Sequence, residues 1–239
     1  MDKKTRCIVL RTVKYGDNKL IVDFLSREEG RLSTAYKITS SARSRARRQC
    51  FQPLTILDID FSRAERQTMI TLHNVRMAEI YSSIPFDAAK MSLAFFIAEF
   101  LTYATRDVHP DATLYDYIER SMLWLDTAER GIANFHLMFM MHISQFLGFQ
   151  PNMDSYREGA FFDMQEGRFC VTAPLHRHYL APAEAEQMSL LMRMAPSNLH
   201  LFKLSRAERN HITDLVLSYY HLHIPAFGDI KSLEVLRAM

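Results

Sequence analysis

Leu32-Ser-Thr-Ala-Tyr-Lys-Ile38 sets Leu32, Tyr36 and Ile38 against Ser33, Ala35 and Lys37 with a period of two. The alternation resumes at Leu54 and carries Leu57, Ile59 and Phe61 on one face. This period is that of a strand with one side on a core. Working outward, Cys7–Val13 and Leu20–Leu25 read as two further strands, parted by the turn Tyr15-Gly-Asp-Asn18. Ser26-Arg-Glu-Glu-Gly30 is a second turn, with Gly30 supplying the backbone angle other residues avoid. Pro53 is expected to open the fourth strand, and Gln67–His73 to form the fifth. Five short strands joined by turns predict a small antiparallel barrel or sandwich. The five-stranded, partly open form of such a barrel is the OB-fold, a common nucleic-acid platform.

Between the third and fourth strands lies Lys37-Ile-Thr-Ser-Ser-Ala-Arg-Ser-Arg-Ala-Arg-Arg48, with no Asp or Glu from Gly30 to Leu57. Its remaining residues are mostly small and polar and make no core, so it reads as a cationic loop on a β scaffold. Arginine forks match phosphate oxygens, and the serine and threonine hydroxyls add donors. A solvated loop with no partner is the plainer reading, but five cations without an acid are the footprint of polyanion binding. The net charge of the chain is only +2, yet residues 1–48 hold 13 Lys/Arg against 5 Asp/Glu, and the rest 16 against 22. Such an asymmetry predicts a polyanion-binding end joined to a body with another task. The candidate phosphate contacts are Arg11, Arg31, Lys37, Arg43, Arg45, Arg47 and Arg48.

From Asp87 the period changes to that of helices. Met91, Phe95, Phe96, Phe100 and Leu101 make the first apolar nearly all round, hence buried. Leu114–Leu125 and Ile132–Phe146 keep amphipathic spacing, until Gly148 and Pro151 stop the second. Phe161–Val171 is short and β-like around Gly167. Pro182 suits a first helical turn, and Ser205-Arg-Ala-Glu208 is a capping box. The helix it opens carries Ile212, Leu215, Val216, Tyr219 and Tyr220 on one stripe, and Asp229–Met239 reads as a final short helix. The domain boundary is placed at Ser82–Asp87.

Several function classes lack support. The start has no apolar signal-peptide core, and Met91–Leu101 is too short to span a bilayer. Cys7, Cys50 and Cys170 are far apart, as expected of reduced thiols in a cytoplasm. Gly-x-Ser-x-Gly, Gly-x-Gly-x-x-Gly and the P-loop pattern are missing. The pairs His176/His178, His221/His223 and His136/His142 have the wrong spacing for two ligands on a helix face and read as core or surface histidines. Asp58 and Asp60 share a strand face and read as a solvent-facing edge. Met138, Met140 and Met141 read as pliable core.

Ordered matches to a known family run along most of the chain. Ile8-Val-Leu-Arg-Thr-Val-Lys-Tyr-Gly-Asp17, Leu25-Ser-Arg-Glu-Glu-Gly-Arg-Leu32, Gln52-Pro-Leu54, Leu147-Gly-Phe-Gln-Pro-Asn-Met-Asp154 and Ile230-Lys-Ser-Leu-Glu-Val-Leu236 resemble stretches of the RecO family of recombination mediators. The resemblance implies an α+β chain: an OB-fold DNA-binding domain over 1–82, then an all-α domain over 83–239 with a zinc-finger-like insert at 155–175. It implies a cytoplasmic, nucleoid-associated, non-enzymatic protein of DNA repair. Such a protein binds single- and double-stranded DNA, joins RecR, engages single-stranded DNA-binding protein, helps load RecA and anneals strands. An acidic partner tail would need a cation beside an apolar groove in the helical domain, and Arg106, Arg120 and Arg130 are the candidates. Many members carry a four-cysteine zinc site. Here its positions fall on Tyr156, Gly159, Cys170 and Ala173, so the zinc is expected to be lost and no cofactor to be held. Two other classes remain open: a helical hydrolase or transferase with a β-rich appendage, and a sequence-specific DNA-binding regulator.

Overall fold

The computed structural model describes residues 2–39, 41, 48–64 and 67–238. The chain is α+β and forms two compact units, residues 1–127 with 230–236, and residues 128–229 with 237–239.

In the first unit β1 (Asp2–Tyr15), β2 (Lys19–Ser26), β3 (Gly30–Lys37), β4 (Ile56–Ser62) and β5 (Thr71–Met77) form one antiparallel sheet in the order β3-β2-β1-β4-β5. Spatial order β4-β1-β2-β3 is that of a Greek key. A parallel bridge between Thr34 and Ile70 brings β3 toward the start of β5. The Thr34 hydroxyl donates to the Ile70 carbonyl at 2.9 Å, and the Ile70 amide to the Ser33 carbonyl at 2.8 Å. The result is a partly closed, OB-fold-like barrel. Cys7, Val9, Leu20, Val22, Phe24, Leu32, Leu57, Ile59 and Phe61 fill it, as the alternation predicts.

Strand bounds differ most from expectation at β1, β4 and β5; β1 runs from Asp2 to Tyr15 rather than from Cys7 to Val13, so Tyr15 belongs to the strand and not to the turn. Pro53 does not open β4. Residues 48–50 are helical, 51–54 turn, and the strand starts at Ile56. Leu54 holds a left-handed φ of +63°, unusual for a branched side chain. Its amide donates to the Val9 carbonyl at 2.7 Å, and its carbonyl accepts the Tyr81 hydroxyl at 2.8 Å. The fifth strand lies at 71–77 rather than 67–73, because Ile70 is drawn to Thr34. Its alternation is weak, with Val75 its one buried residue.

Helices α1 (Ala88–Ala104) and α2 (Ala112–Thr127) complete this unit with the segment Ile230–Leu236. Asp87 caps α1, accepting from the amides of Ala89 and Lys90 at 2.8 and 3.0 Å. The connection before it is pinned by Asp126, whose carboxylate accepts the amides of Ser82, Ser83 and Ile84 at 2.7–2.9 Å. Burial works to raise the pKa of Asp126, but the three amides and the Ser82 hydroxyl outweigh it and hold the group at about 2. Lys90 is buried beside it and donates to the Ser83 hydroxyl and the Asp126 carbonyl. Phe96, Phe100 and Leu101 are buried as expected, but Met91 and Phe95 are exposed. They line an apolar groove of about 450 Å³ with Met77, Ile80, Ile84 and Phe86. An apolar period all round a helix does not reveal which side lacks a cover.

In the second unit α3 (Phe135–Phe146), α4 (Pro182–Leu191) and α5 (Arg206–His223) surround a three-stranded sheet of β6 (Phe161–Asp163), β7 (Arg168–Cys170) and β8 (Tyr179–Leu180), ordered β7-β6-β8. Pro182 stands in the first turn of α4, and Ser205 and Glu208 make both bonds of the capping box on α5. Met138, Met140 and Met141 are buried. The Tyr220 hydroxyl donates to the Met140 carbonyl at 2.6 Å, joining α5 to α3. The last helix, α6 (Leu233–Arg237), lies in the first unit except for Arg237.

Candidate nucleic-acid interface

Register builds the open face of the barrel. Tyr15 stands opposite Lys19, and Lys19 opposite Lys37. The next row is Val13, Ile21 and Ala35, and the next Arg11, Asp23 and Ser33. Residues in register share a face, and the other face holds the core. A bulge between Val9 and Arg11 decides the direction of Arg11. Strict alternation from Cys7 and Val9 would send it into the barrel; the extra residue turns it out. Arg11, Lys19 and Lys37 are exposed, and Tyr15 is 65% exposed. None of these three cations makes an ion pair among the described residues. An exposed aromatic among unpaired cations is the arrangement that stacks bases and holds phosphates.

A cleft of about 880 Å³ adjoins this face. Thr34, Tyr36 and Lys37 line it from β3, Thr39 from just beyond it, and Gln67 and His73 from the β4–β5 connection and β5. OB-folds bind oligonucleotides on the β2–β3 face and in the loops after β1 and β4. Here the first of those loops is Gly16–Asn18, directly after Tyr15. Arg48 is exposed at the end of the basic loop, while Arg43, Arg45 and Arg47 lie outside the described residues.

Arg31 parts from the candidate phosphate contacts. Its guanidinium donates to the Thr102 carbonyl at 3.2 Å and the Thr105 hydroxyl at 3.1 Å, at the end of α1. Burial lowers its pKa. Through one guanidinium nitrogen it ties a helix end to the barrel. Other barrel cations are held by acids: Lys3 by Glu29 at 2.7 Å, Arg6 by Asp58 at 3.3 Å and Glu119 at 2.9 Å, Arg27 by Asp116 at 2.7 Å. Asp58 is part-exposed at the strand edge and takes Arg6 as its partner.

The sequence reading passed over Tyr15 and Lys19. The signal was present in the turn, since three residues between two strands oblige Tyr15 and Lys19 to face one another. The three arginines considered for a partner tail are not gathered. Arg106 and Arg120 belong to the first unit and Arg130 to the second, and none lines the apolar groove. In that groove Phe86 is 85% and Ile80 81% exposed.

In the second unit β6 and β7 form the hairpin expected at Phe161–Val171. Gly167 turns it at φ +62°, where a Cβ would meet the Tyr219 hydroxyl at 2.7 Å. Phe162 packs on Phe169 at 4.9 Å and on Tyr219 at 5.7 Å, and Tyr156 packs on Phe169 at 4.9 Å. The residues at the family's four zinc positions do not fit a structural zinc. They supply one thiol, Cys170, whose pKa is raised by burial and which lies 3.8 Å from the Phe161 carbonyl. The histidines have local roles. His136 is buried against Thr213 at 3.0 Å and held at a pKa of about 3 by desolvation. His223 stacks on Phe149 at 4.8 Å, and His176 lies 3.3 Å from Asp163.

No helix among the described residues is long and apolar enough to cross a membrane. The family described as "Recombination protein O N terminal" matches residues 1–81, and "Recombination protein O C terminal" matches residues 85–234. The chain is 41% identical to a DNA repair protein RecO of Phocaeicola vulgatus, over 100% of this chain and 99% of that protein. It is 37% identical to one of Bacteroides fragilis, over 100% and 99%, and 30% identical to one of Porphyromonas gingivalis, over 98% of each. A five-stranded barrel with an open cationic face, continuous with helices over the full length of these relatives, belongs to the RecO family of DNA repair proteins.

Proposed function

We propose that this protein is a non-catalytic DNA-binding mediator that anneals complementary strands in the cytoplasm, at the nucleoid. The observation that carries the reading is the row Tyr15–Lys19–Lys37 beside Arg11, unpaired cations around an exposed aromatic on the β2–β3 side of an OB-like barrel. Annealing needs no nucleophile. It needs a surface that offsets repulsion between two phosphate backbones and leaves bases free to pair. Binding extends to single and double strands, because phosphate contacts carry no sequence information. The basic run from Arg43 to Arg48 supplies further phosphate contacts.

Family membership supports partners in the same pathway: RecR, single-stranded DNA-binding protein, and RecA, which is loaded indirectly. The apolar groove of Ile80, Phe86, Met91 and Phe95 supports docking of a protein partner, since a contiguous exposed apolar patch marks an interaction surface. The hairpin of the second unit holds its place through Phe162, Phe169 and Tyr219, with no resident metal.

The test is a titration of random and fixed DNA sequences at several salt concentrations. Replacing Arg43, Arg45, Arg47 and Arg48 with Ala should weaken all sequences alike and shrink the salt slope by about 2 to 4, at roughly 0.9 per duplex contact. Selective loss on one sequence would instead favour a base-reading regulator.

A further inference from the structure

A second cleft, of about 490 Å³, opens between the outward end of β1 and α1. Arg11, Val13, Phe95, Glu99, Tyr103 and Lys231 line it. Arg106 follows the α1 cap and lies over the Tyr103 ring, 5.6 Å from its centre. Cations at a helix C-terminus often serve only to complement the helix dipole. Here Arg31 already does so, with its bonds to Thr102 and Thr105. A guanidinium over an aromatic face keeps its N–H donors for an anion, and Arg106 is exposed.

The acids nearby do not neutralise these cations. Glu99 turns its carboxylate to the Lys231 amide at 3.1 Å, the Ser232 amide at 2.8 Å and the Ser232 hydroxyl at 2.6 Å. Asp23 accepts the Ser33 hydroxyl at 2.6 Å. Arg11, Arg106 and Lys231 make no ion pair among the described residues. Arg31 feels the repulsion of both Arg106 and Arg11, after the larger effect of its own burial and the partial relief from Asp23. Like charges held together in one field are an unfavourable arrangement that an arriving polyanion relieves.

Arg11 belongs to both surfaces. It stands in the last row of the barrel face and at the mouth of the cleft. We propose that the DNA track does not stop at the barrel but continues past Arg11 along α1, where Arg106 on Tyr103, together with Lys231, holds the backbone of a single strand. This rests on the reading of the barrel face as a DNA surface. From Tyr15 to Arg11 the barrel face spans only about 13 Å, at roughly 3.3 Å per residue, so the cleft supplies reach that a longer strand uses and a short one does not.

Binding of a short and a severalfold longer oligothymidylate to the full chain tests this. The Arg106→Ala/Lys231→Ala variant should bind the short oligomer like wild type. It should bind the long one about tenfold more weakly, with the salt slope reduced by about 1.4, at roughly 0.7 per single-strand contact. Arg106→Lys should keep the slope and lose part of the affinity, because the planar, forked guanidinium is gone. Lys19→Ala/Lys37→Ala, by contrast, should weaken both lengths. If only this barrel variant weakens the long oligomer, the track ends at the barrel and the extension is wrong. Equal losses on both lengths in the Arg106/Lys231 variant also overturn it, as does unchanged DNA binding with lost binding of a poly-glutamate peptide. If the barrel variant is silent at both lengths, the underlying DNA reading fails, and the extension with it.

Discussion

Strand β1 carries Arg6 and Arg11 on one element, and the two belong to different chemistries. Arg6 lies toward the helices, between Asp58 of β4 and Glu119 of α2. Arg11 lies beyond the bulge, exposed, with no ion pair among the described residues. The same division runs through the unit. On the covered side Lys3, Arg27 and Arg31 are each held by an acid or a helix end, while on the open side Lys19 and Lys37 are not. A cation already held contributes to stability and adds little to ligand binding. A cation left open contributes little to stability and is available to phosphate. Net charge in the sequence counts both kinds alike.

The largest effect on stability should come from the covered side. Asp126→Ala leaves the amides of Ser82, Ser83 and Ile84 without their acceptor, and should destabilise the protein by about 3 kcal/mol or more. Chemical denaturation measures this. The pH dependence follows in sign. The folded pKa of about 2 lies below the ordinary 3.8, so the contribution is complete above about pH 4 and is lost as pH falls through 2. In Asp126→Ala that part of the acid limb should be flattened.

Arg6→Ala should come next, with a loss of about 1 kcal/mol, modest because the group is partly exposed and solvent screens it. Its DNA salt slope should equal that of wild type. A reduced slope would break the division between held and open cations. The smallest effects are expected at the zinc positions and the cysteines. Elemental analysis should find no stoichiometric zinc, and a variant with Cys7, Cys50 and Cys170 all changed to Ser should still anneal DNA. About one zinc per chain would show that Cys170 recruits ligands that the hairpin geometry does not reveal.

Much of the barrel was legible because its strands alternate. Leu57, Ile59 and Phe61 pointed inward as their spacing required, and Ser205 with Glu208 closed the box that their spacing announced. Less was legible where distant partners decide. Pro53 looked like a strand opener, but Leu54 is turned by bonds to Val9 and Tyr81, neither of them local. Met91 and Phe95 have the composition of a core, and they are exposed because nothing among the described residues covers them. At the site, Lys37 was legible from the charge run. The bonds of Arg31 to the end of α1 were not legible, because its acceptors, Thr102 and Thr105, lie some seventy residues away. Tyr15 and Lys19 take their meaning from register, which a count of charges does not show.

The central claim is that the open face of the barrel is the DNA surface. Binding isotherms for single-stranded DNA at several salt concentrations, for wild type, Lys19→Ala/Lys37→Ala and Arg6→Ala, test it most directly. The double variant should remain as stable as wild type within roughly half a kcal/mol per site, while its salt slope falls by about 1.4 and its affinity drops on every sequence. Arg6→Ala should leave the slope alone. A folded Lys19→Ala/Lys37→Ala variant with wild-type slope and affinity would contradict the account.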